Sequence, residues 1–375
     1  MRIAHIANMY GPKSGGLKTA VNQLSREYAE LGNQVLIVIP GASSSFHRDG
    51  NILIAQIKSP QIPFSGGYRV IVKIGTVIEH LGNFQPDVIE ISDRTTLLKV
   101  ANWAKSHSIP TTVFAHERID GVLAAFLSWM PFRKQIAQSW NKRTINIATR
   151  VIATTEYASQ EFQDLGHIPS PHSRLGIIPL GVDLMQFNPD STSKTPATFG
   201  LNDPYILACT RLSKEKDPIF LLEIAKELKR REIKTTIVVI GTGPLEGKLR
   251  EISIRESLNL HFLGFIQDKS DIASLMSAAD SFLAVGPIET FGLAALESLA
   301  CGTPVLCRNS AAIAEVIDSK SGRALSRDAA AWVDTIQEFA EANREDLRVF
   351  SRARAETFSW SRCAQSLLEL HGSPA

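Results

Sequence analysis

The sequence predicts an α/β protein of two doubly wound domains, each with a parallel sheet covered by helices on both faces. Short apolar runs of β type alternate with longer stretches of helical periodicity, which is the rhythm of consecutive βαβ units. The rhythm stops at a segment rich in Pro, Ser and Thr and then restarts. A chain of 375 residues is also too long for one ordinary core. We therefore expect domains over residues 1–185 and 186–357, with a ligand cleft between them.

Five apolar runs in the first half have the length and composition of buried strands. They are Arg2–Asn8, Gln34–Pro40, Val88–Ile91, Thr111–Ala115 and Val151–Thr154. The segment Leu17–Leu31 has the spacing of an amphipathic helix, with apolar residues three or four positions apart. A strand, a helix and a second strand in this order favour parallel pairing.

The second half repeats this pattern after a predicted linker, which starts near Pro179–Asp183 and includes Asn188–Phe199. Strands are expected at Tyr205–Thr210, Thr235–Ile240, Leu260–Leu263, Ser281–Val285 and Pro304–Cys307. Helices are expected at Pro218–Arg230, Leu245–Ser257, near Ile272–Ala278 and at Phe291–Ala300. The tail from Asp328 onward is expected to be mostly helical.

Composition argues against several classes of protein. The net charge is +2 and basic residues are spread along the chain, so we expect no nucleic-acid partner. The four cysteines have neither zinc nor disulfide spacing, and we expect buried thiols in a cytoplasmic protein. The first residues have the pattern of a strand rather than of a signal peptide. No window of about eighteen apolar residues predicts a transmembrane helix.

The stretch from Glu289 to Glu297 leaves a predicted strand and enters a predicted helix. Gly292 would let a ligand approach the backbone, and the helix start at Phe291, Gly292 and Leu293 would bind a phosphate through free N–H groups. Glu297 lies one to two turns into the helix, where a carboxylate can accept hydrogen bonds from ribose hydroxyls. Glu289 lies in the loop ahead of the phosphates. The alternative is a helix whose acidic residues only complement its dipole.

Two further strand ends carry residues suited to the same ligand. Arg211 and Lys216 follow the first strand of the second domain, where a guanidinium fork and a point charge could reach one diphosphate. Gly243 belongs to the turn Gly241–Pro244, where backbone can come near a ligand. A solvated charged turn and an ordinary tight turn are the alternatives. Three such features at the strand ends of one sheet favour a phosphate site.

These residues resemble the retaining glycosyltransferases of family 4, which have the GT-B fold of two doubly wound, Rossmann-like domains. The family's Glu-x7-Glu motif is met by Glu289 and Glu297, and its continuation is similar to the sequence up to Val305. Further family motifs are similar to Thr210–Asp217, Gly241–Pro244 and the hinge Pro179–Asp183. The resemblance covers nearly the whole chain. It also implies that a helix at about 358–373 packs back on the first domain.

The resemblance assigns roles to further residues. Gly264-Phe265-Ile266 is similar to the family's segment near the nucleotide base, for which a plain turn is the alternative. Gly15-Gly16 is similar to the loop that reaches the donor across the cleft, and an ordinary glycine turn is the alternative. His116 follows the Thr111–Ala115 strand, where the family has a histidine near the donor sugar.

Acceptor binding has two candidate regions in the first domain. Asp93 and Arg94 follow the Val88–Ile91 strand, although Asp93 would serve equally well as a helix N-cap. Gly121–Phe132 is uncharged and apolar, and Arg133-Lys134 follows it. This combination could dock on a membrane surface or hold a lipid-linked acceptor, so we hypothesise peripheral association with the cytoplasmic face of a membrane. The alternative is a core helix that ends at Pro131.

The resemblance implies transfer of a sugar from a nucleotide-diphosphate donor to a glycan, glycolipid or small-molecule acceptor, with retention of configuration. The acceptor would attack from the front face while the leaving diphosphate helps to deprotonate it. His116, Arg211, Lys216 and Glu289 are the expected catalytic residues. Arg211, Lys216 and the helix start would stabilise the leaving charge in place of a divalent metal, so we expect neither metal nor cofactor.

Likeness to bacterial mannosyltransferases suggests GDP-mannose as the donor. The family's Gly-Gly turn near the sugar is replaced here by Asn309–Ala312, however, so the sugar stays open. A nucleotide-sugar epimerase or hydrolase, or a non-catalytic nucleotide-sugar sensor, would use the same architecture. A nicotinamide-dependent oxidoreductase fits less well, because Asn8–Gly16 lacks the Gly-x-Gly-x-x-Gly motif.

Overall fold

The structure is a computed structural model that describes residues 1–11, 15–62, 67–126, 131–170, 173–201 and 204–372. The chain forms two compact units. The first comprises Met1–Gly181 and Trp360–Ala375, and the second comprises Val182–Ser359. Each unit contains a largely parallel sheet with helices between its strands, which confirms the predicted fold class of two Rossmann-like domains.

The first unit contains an eight-stranded sheet in its described part. Its strands are β1 (Arg2–Ala7), β2 (Gln34–Gly41), β3 (Ser45–Asp49), β4 (Ile52–Lys58), β5 (Val88–Ser92), β6 (Thr111–Ala115), β7 (Arg150–Ala153) and β8 (Leu175–Ile177). Its helices are α1 (Gly16–Glu30), α2 (Ile74–Phe84), α3 (Leu98–Ser106), α4 (Ile119–Phe126), α5 (Arg133–Ile147) and α6 (Glu156–Gln163).

The strands of the first unit lie in the order β3-β4-β2-β1-β5-β6-β7-β8. All neighbouring pairs are parallel except β3–β4, which is an antiparallel hairpin at the edge. The central strands β1 and β5 are paired directly, with Ile3 opposite Val88. Because the chain leaves these two strands toward opposite sides, their carboxyl ends border a topological switch point, where doubly wound sheets bind ligands.

The last helix of the chain belongs to the first unit. This helix, α14 (Trp360–Gly372), packs against α1. Its apolar face, which includes Ala364 and Leu367, is buried. The facing side of α1 is buried at Ala20, Val21, Leu24 and Tyr28, the spacing expected for an amphipathic helix.

The second unit contains a six-stranded, fully parallel sheet in its described part. Its strands are β9 (Tyr205–Cys209), β10 (Thr236–Ile240), β11 (Leu260–Gly264), β12 (Ser281–Ala284), β13 (Val305–Arg308) and β14 (Gly322–Leu325). Its helices are α7 (Ile219–Arg230), α8 (Glu246–Arg255), α9 (Lys269–Ala278), α10 (Leu293–Ala300), α11 (Ile313–Val316), α12 (Ala329–Glu341) and α13 (Arg344–Glu356).

The strand order β11-β10-β9-β12-β13-β14 is that of a Rossmann sheet, in which the first and fourth strands are neighbours. Pairing of Ile206 with Ser281 and of Leu207 with Phe282 fixes the β9–β12 contact. The core beneath includes Phe220 and Trp332, whose rings meet edge to face with centroids 5.3 Å apart. The carboxyl ends of β9 and β12 are therefore side by side at the switch point.

The segment predicted as a linker is largely part of the second unit. The boundary between the units lies after Gly181, a few residues before the predicted position. Lys194 forms an ion pair with Asp271 of α9 at 2.7 Å, and the Ser193 amide donates to Ser274 at 2.8 Å. Pro and Ser residues here shape a packed loop that ends in a short 3₁₀ helix, Pro196–Phe199.

All four cysteines are free thiols, as the sequence predicts. Cys301, Cys307 and Cys363 are buried, and Cys209 is partly buried. Burial raises the pKa of the Cys307 thiol to about 12, which makes it unreactive at neutral pH. No helix among the described residues is both long and apolar enough to span a bilayer.

Candidate functional site

The loop after β12 places Glu289 and the start of α10 together. The helix begins at Leu293, and Gly292 is its N-cap with a left-handed backbone (φ 89°). A Cβ at Gly292 would also come within 2.3 Å of the Ile313 side chain, so only glycine fits here. Gly292 has no side chain with which to cap this helix start. The N–H groups of its first turn are suited to an anionic ligand.

Phe291 has a different place from the one that the sequence predicted. The helix starts two residues after Phe291, and the ring is buried. It meets Phe358 edge to face with ring centroids 6.0 Å apart. This packing makes Phe291 an anchor of the loop, so any ligand contact would come from its backbone.

The loop after β9 carries the basic residues. Lys214–Lys216 forms one turn of 3₁₀ helix, and Asp217 after it has a left-handed backbone. The turn directs Lys216 toward Glu289, and Lys216 Nζ lies 2.5 Å from Glu289 Oε2. The two side chains are 24% and 28% exposed, so the pair is accessible to a ligand. Sequence-distant residues from two strand ends therefore meet, as the switch-point argument requires.

Arg211 lies in the same loop with its side chain about half exposed. Its guanidinium is 4.0 Å from a carboxylate oxygen of Glu215. Glu215 also accepts a short hydrogen bond from Ser213, while its other oxygen is buried without a hydrogen-bond partner among the described residues. Glu215 was not among the predicted site residues. Its acidic side chain between Arg211 and Lys216 in the sequence is the feature that could have indicated it.

A partly exposed cluster of charged side chains supports this loop. Asp217 binds Arg327 at 2.9 Å and Arg308 at 3.4 Å, and Arg327 makes two further bonds to Glu223. Both guanidinium groups lie over the ring of Phe220, 4.8 and 5.6 Å from its centroid. This arrangement holds the end of the 3₁₀ turn and thereby the backbone of Lys216.

The Gly241–Pro244 turn approaches protein backbone. A Cβ at Gly241 would lie 2.0 Å from the carbonyl oxygen of Thr210, and one at Gly243 would lie 2.4 Å from that of Leu212. The Leu212 amide donates to Thr242, and the Leu245 amide donates to Leu212. The two glycines are thus needed so that the β10 turn can clamp the loop carrying Arg211. Contact of Gly243 with a ligand stays a prediction.

The remaining donor candidates of the second unit surround the same edge. Gly264 ends β11 with a left-handed backbone and accepts a hydrogen bond from the Gly241 amide at 2.7 Å. Phe265 after it is an exposed aromatic ring, and Ile266 is partly buried. An exposed ring at a strand end offers a stacking surface for a base.

Glu297 lies one turn into α10 and is partly buried. Burial raises the pKa of its carboxyl to about 7, with Lys269 lowering it and Asp183 raising it by smaller amounts. The structure shows no hydrogen bond to this carboxylate from the described residues. A group of this kind can accept hydrogen bonds from hydroxyls in either protonation state.

In the first unit, Gly15 is the N-cap of α1 and Gly16 its first residue. Residues 12–14, which precede them, lie outside the described residues. His116 directly follows β6, and its Nε2 lies 2.8 Å from Ser92 Oγ at the end of β5. Burial lowers the pKa of His116 to about 3, so the ring is neutral at physiological pH.

Asp93 and Arg94, predicted to bind an acceptor, are occupied by structural contacts. The Asp93 carboxylate accepts from the Thr95 and Leu97 amides at 3.0 and 2.9 Å. Arg94 is buried and forms an ion pair with Glu161 at 2.7 Å. These contacts give Asp93 the capping role that the sequence offered as the alternative, and they pair the buried charge of Arg94 within the fold. Acceptor binding by Asp93 and Arg94 stays a prediction.

The predicted apolar segment is described only in part. Residues 127–130 lie outside the described residues, while α4 and α5 flank them. Phe132 before α5 is 72% exposed, and Ile136 on α5 is also exposed. Lys142 and Arg143 are exposed on the same helix.

Comparison with known proteins identifies the family. Residues 14–186 match the family "Glycosyltransferase Family 4", and residues 191–356 match "Glycosyl transferases group 1". The chain is 36% identical to the GDP-mannose-dependent alpha-(1-6)-phosphatidylinositol dimannoside mannosyltransferase of Mycobacterium tuberculosis, over 100% of this chain and 97% of the relative. The chain is a glycosyltransferase with the GT-B fold.

Solved structures agree on the fold of this glycosyltransferase. Sucrose-phosphate synthase from Thermosynechococcus elongatus superimposes with a TM-score of 0.78 at 19% identity, covering 98% of both chains. Anabaena Alr3699/HepE in complex with UDP-glucose gives a TM-score of 0.74 at 17% identity, again over 98% of both chains. The glycosyltransferase class predicted from the sequence is thereby confirmed, and the individual site residues stay predictions.

The raised pKa of Glu297 leads to a prediction about stability. Between pH about 4.5 and 7 the folded glycosyltransferase keeps this proton and the unfolded chain loses it, so the free energy of unfolding falls as pH rises. Glu297→Gln should remove that contribution. We expect the variant to be more stable than the wild type at pH 8 and to match it near pH 4.5, as measured by urea unfolding. Parallel pH profiles of the two proteins would contradict the assignment.

Proposed function

We propose that this glycosyltransferase transfers mannose from GDP-mannose to a mannosylated phosphatidylinositol-type glycolipid, with retention of configuration and without a divalent metal. The observation that carries the proposal is the Lys216–Glu289 pair, which joins the loop carrying Arg211 to the loop before the glycine N-cap of α10. The named activity of the mycobacterial relative, which matches along the whole chain, supports the donor and the acceptor class.

The charges of this site suit a leaving diphosphate. When the bond between the sugar C1 and the phosphate oxygen breaks, its electron pair goes to the phosphate, and negative charge builds there. Arg211 and Lys216 together with the first-turn N–H groups of α10 are positioned to stabilise that charge. The ion pair with Glu289 holds the Lys216 side chain in place before a ligand arrives, which reduces the reorganisation of this side chain on binding.

Retention follows in this proposal from attack on the same face that the diphosphate leaves. The new bond joins an acceptor oxygen to C1, and the acceptor's proton passes to an oxygen of the departing diphosphate. His116 would contact the donor sugar as a neutral ring, which can donate or accept one hydrogen bond. Glu297 would accept hydrogen bonds from the ribose hydroxyls, and Phe265 would lie against the guanine base.

The first experiment tests donor, metal dependence and stereochemistry together. We expect mannose transfer from GDP-mannose to a phosphatidylinositol mannoside, an unchanged rate in EDTA, and an α-linked product by NMR. UDP- and ADP-sugars serve as controls in a thermal-shift panel, where a donor at about 100 times its Kd should add about 2.7 kcal/mol of stability. EDTA-sensitive transfer or a β-linked product would overturn the corresponding part of the proposal, and donor hydrolysis without transfer would favour a hydrolase.

The second experiment tests the phosphate-binding residues. Arg211→Ala and Lys216→Ala should each lower kcat by about two or more powers of ten, the usual cost of losing one preorganised electrostatic contact. Lys214→Ala is the matched control, because Lys214 is an exposed lysine of the same 3₁₀ turn. Steady-state rates at saturating donor would measure the effect. Wild-type rates in the Arg211 and Lys216 variants would remove both residues from the site.

A lipid-linked acceptor implies that the protein contacts a membrane surface. Helix α5 has exposed residues suited to such a contact. The apolar Phe132, its N-cap, and Ile136 in its first turns are exposed, and so are the basic Lys142 and Arg143 farther along the helix. Exposed apolar and basic side chains on one helix suit the interface of a bilayer with anionic headgroups. We include peripheral attachment through this surface in the proposal.

Vesicle binding tests the membrane contact. The protein should co-sediment with vesicles rich in anionic lipid at low salt, and Lys142→Glu/Arg143→Glu should weaken this binding by at least tenfold. Each basic residue near such a surface contributes about 1 kcal/mol, and reversal doubles the change. Lys229→Glu/Lys234→Glu, which reverses two exposed lysines of the second unit, is the control. Absence of wild-type binding would refute the contact.

A further inference from the structure

A chain of buried polar side chains runs behind His116. His116 Nε2 lies 2.8 Å from Ser92 Oγ, and Ser92 Oγ lies 2.8 Å from His5 Nε2. His5 Nδ1 lies 2.9 Å from Glu90 Oε2. The other Glu90 oxygen receives the Tyr28 hydroxyl at 2.7 Å and His371 Nε2 at 2.9 Å.

The members of this chain come from the centre of the first unit. His5 lies on β1, while Glu90 and Ser92 lie on β5, the strand paired with it. Tyr28 belongs to α1, and His371 belongs to α14, the helix that packs on α1. The side chains of Glu90, His5 and His371 are each at most 1% exposed. Burying a carboxylate this deeply costs free energy, and its partners offset that cost only in part. Apolar side chains would pack here at least as stably, so the cluster points to a role other than stability.

Ring stacking fixes the planes of the two histidines. The ring of Phe114 on β6 stacks with both His5 and His116, with centroids 5.7 and 5.5 Å away and interplanar angles of 5° and 18°. The His116 ring is thus held on one face by Phe114 and at Nε2 by Ser92. Two restraints of this kind leave little freedom of rotation about its side-chain bonds.

The single hydroxyl proton of Ser92 couples the two histidines. The histidine partners of Glu90, His371 and His5, hold its pKa well below the usual range against the opposing effect of burial, so the group is a carboxylate. His5 Nδ1 lies within ion-pair distance of this carboxylate. Ser92 can donate its proton to only one of the two histidines, so the order of donors along the chain fixes one neutral tautomer of His116.

We propose that Ser92, His5 and Glu90 are positioning residues that fix the tautomer and the orientation of His116 for its contact with the donor sugar. The proposal rests on the sugar-contacting role of His116 given above. The donor sugar would then meet the same form of the His116 ring in every molecule, without a change of protonation. Tyr28 and His371 complete the shell of Glu90, so α14 contributes to the site through one side chain.

Ser92→Ala tests this role, because it removes the link and leaves the rest of the core in place. We expect kcat/KM for the donor to fall about 10- to 100-fold, as for other residues that orient a functional histidine. Ser92→Thr, which restores a hydroxyl, should recover most of the loss. Ser25→Ala is the matched control, since Ser25 is a fully buried serine of the same unit whose hydroxyl has no hydrogen-bond partner among the described residues.

A spectroscopic measurement separates positioning from general stability. In protein labelled with ¹⁵N-histidine, the wild-type His116 ring should show one protonated and one unprotonated nitrogen, as a single neutral tautomer. Ser92→Ala and Glu90→Gln should give a mixture of the two neutral tautomers, while Ser25→Ala should leave the wild-type spectrum. An unaltered His116 spectrum in folded Ser92→Ala protein would overturn the proposal.

A double-mutant cycle shows whether Ser92 acts through His116. Ser92→Ala should cause no further loss of activity in a His116→Ala background. An additive loss would overturn the positioning role while leaving the donor site intact. If His116→Ala alone has wild-type activity, both this inference and the sugar contact of His116 fail. The Arg211 and Lys216 variants still report separately on the phosphate site.

Discussion

The pairing of β9 with β12 is the constraint on which the candidate site depends. These strands are separated by more than seventy positions in the chain, yet they are neighbours in the sheet and both run in the same direction. Their carboxyl ends therefore place the loop of Lys216 beside the loop of Glu289, and the two side chains meet at 2.5 Å. In the first unit, the parallel pairing of the consecutive strands β5 and β6 brings their carboxyl ends together, where Ser92 meets His116. In each unit, the candidate site residues thus meet at the carboxyl ends of the strands, although they come from separate parts of the sequence.

The glycines of the second unit serve this geometry more than they serve a ligand directly. Gly241 and Gly243 allow one turn to lie against the backbone of the Arg211 loop, and Gly292 permits a left-handed turn beside Ile313. The consequence is a basic loop clamped on one side by backbone hydrogen bonds and on the other by the Asp217–Arg327 pair. Catalysis by fixed charges requires such rigidity, because a charge that must be moved into place loses much of its effect.

The sequence predicted those parts of the fold and site that have a local signature. Long apolar strands and the Glu289–Glu297 stretch were found because periodicity and strand-to-helix transitions are visible in one segment. The edge strand β3 (Ser45–Asp49) was missed, since its residues are all exposed and only its pairing with β4 makes it a strand. The ion pair of Arg94 with Glu161 could not be predicted, because the two residues are distant in the chain. No local pattern in the sequence marks Ser92 and His5 as partners of His116. Glu90, a charged residue within the apolar run of β5, is the feature that could have indicated a buried polar cluster.

Glu289 raises the question of why an acidic side chain lies where a diphosphate is proposed to bind. An isolated carboxylate there would repel the donor, but this one is paired with Lys216, so the pair adds little net charge. Arg211, which Glu215 approaches only to 4.0 Å, and the α10 start then supply positive potential. Lys216 has three N–H donors, so it can bind phosphate while it keeps Glu289 as a partner. The pair also holds a flexible lysine in place before binding, which lowers the entropy lost when the donor arrives. A carboxylate in this position is therefore consistent with an anion site, provided that its cation is shared rather than taken away.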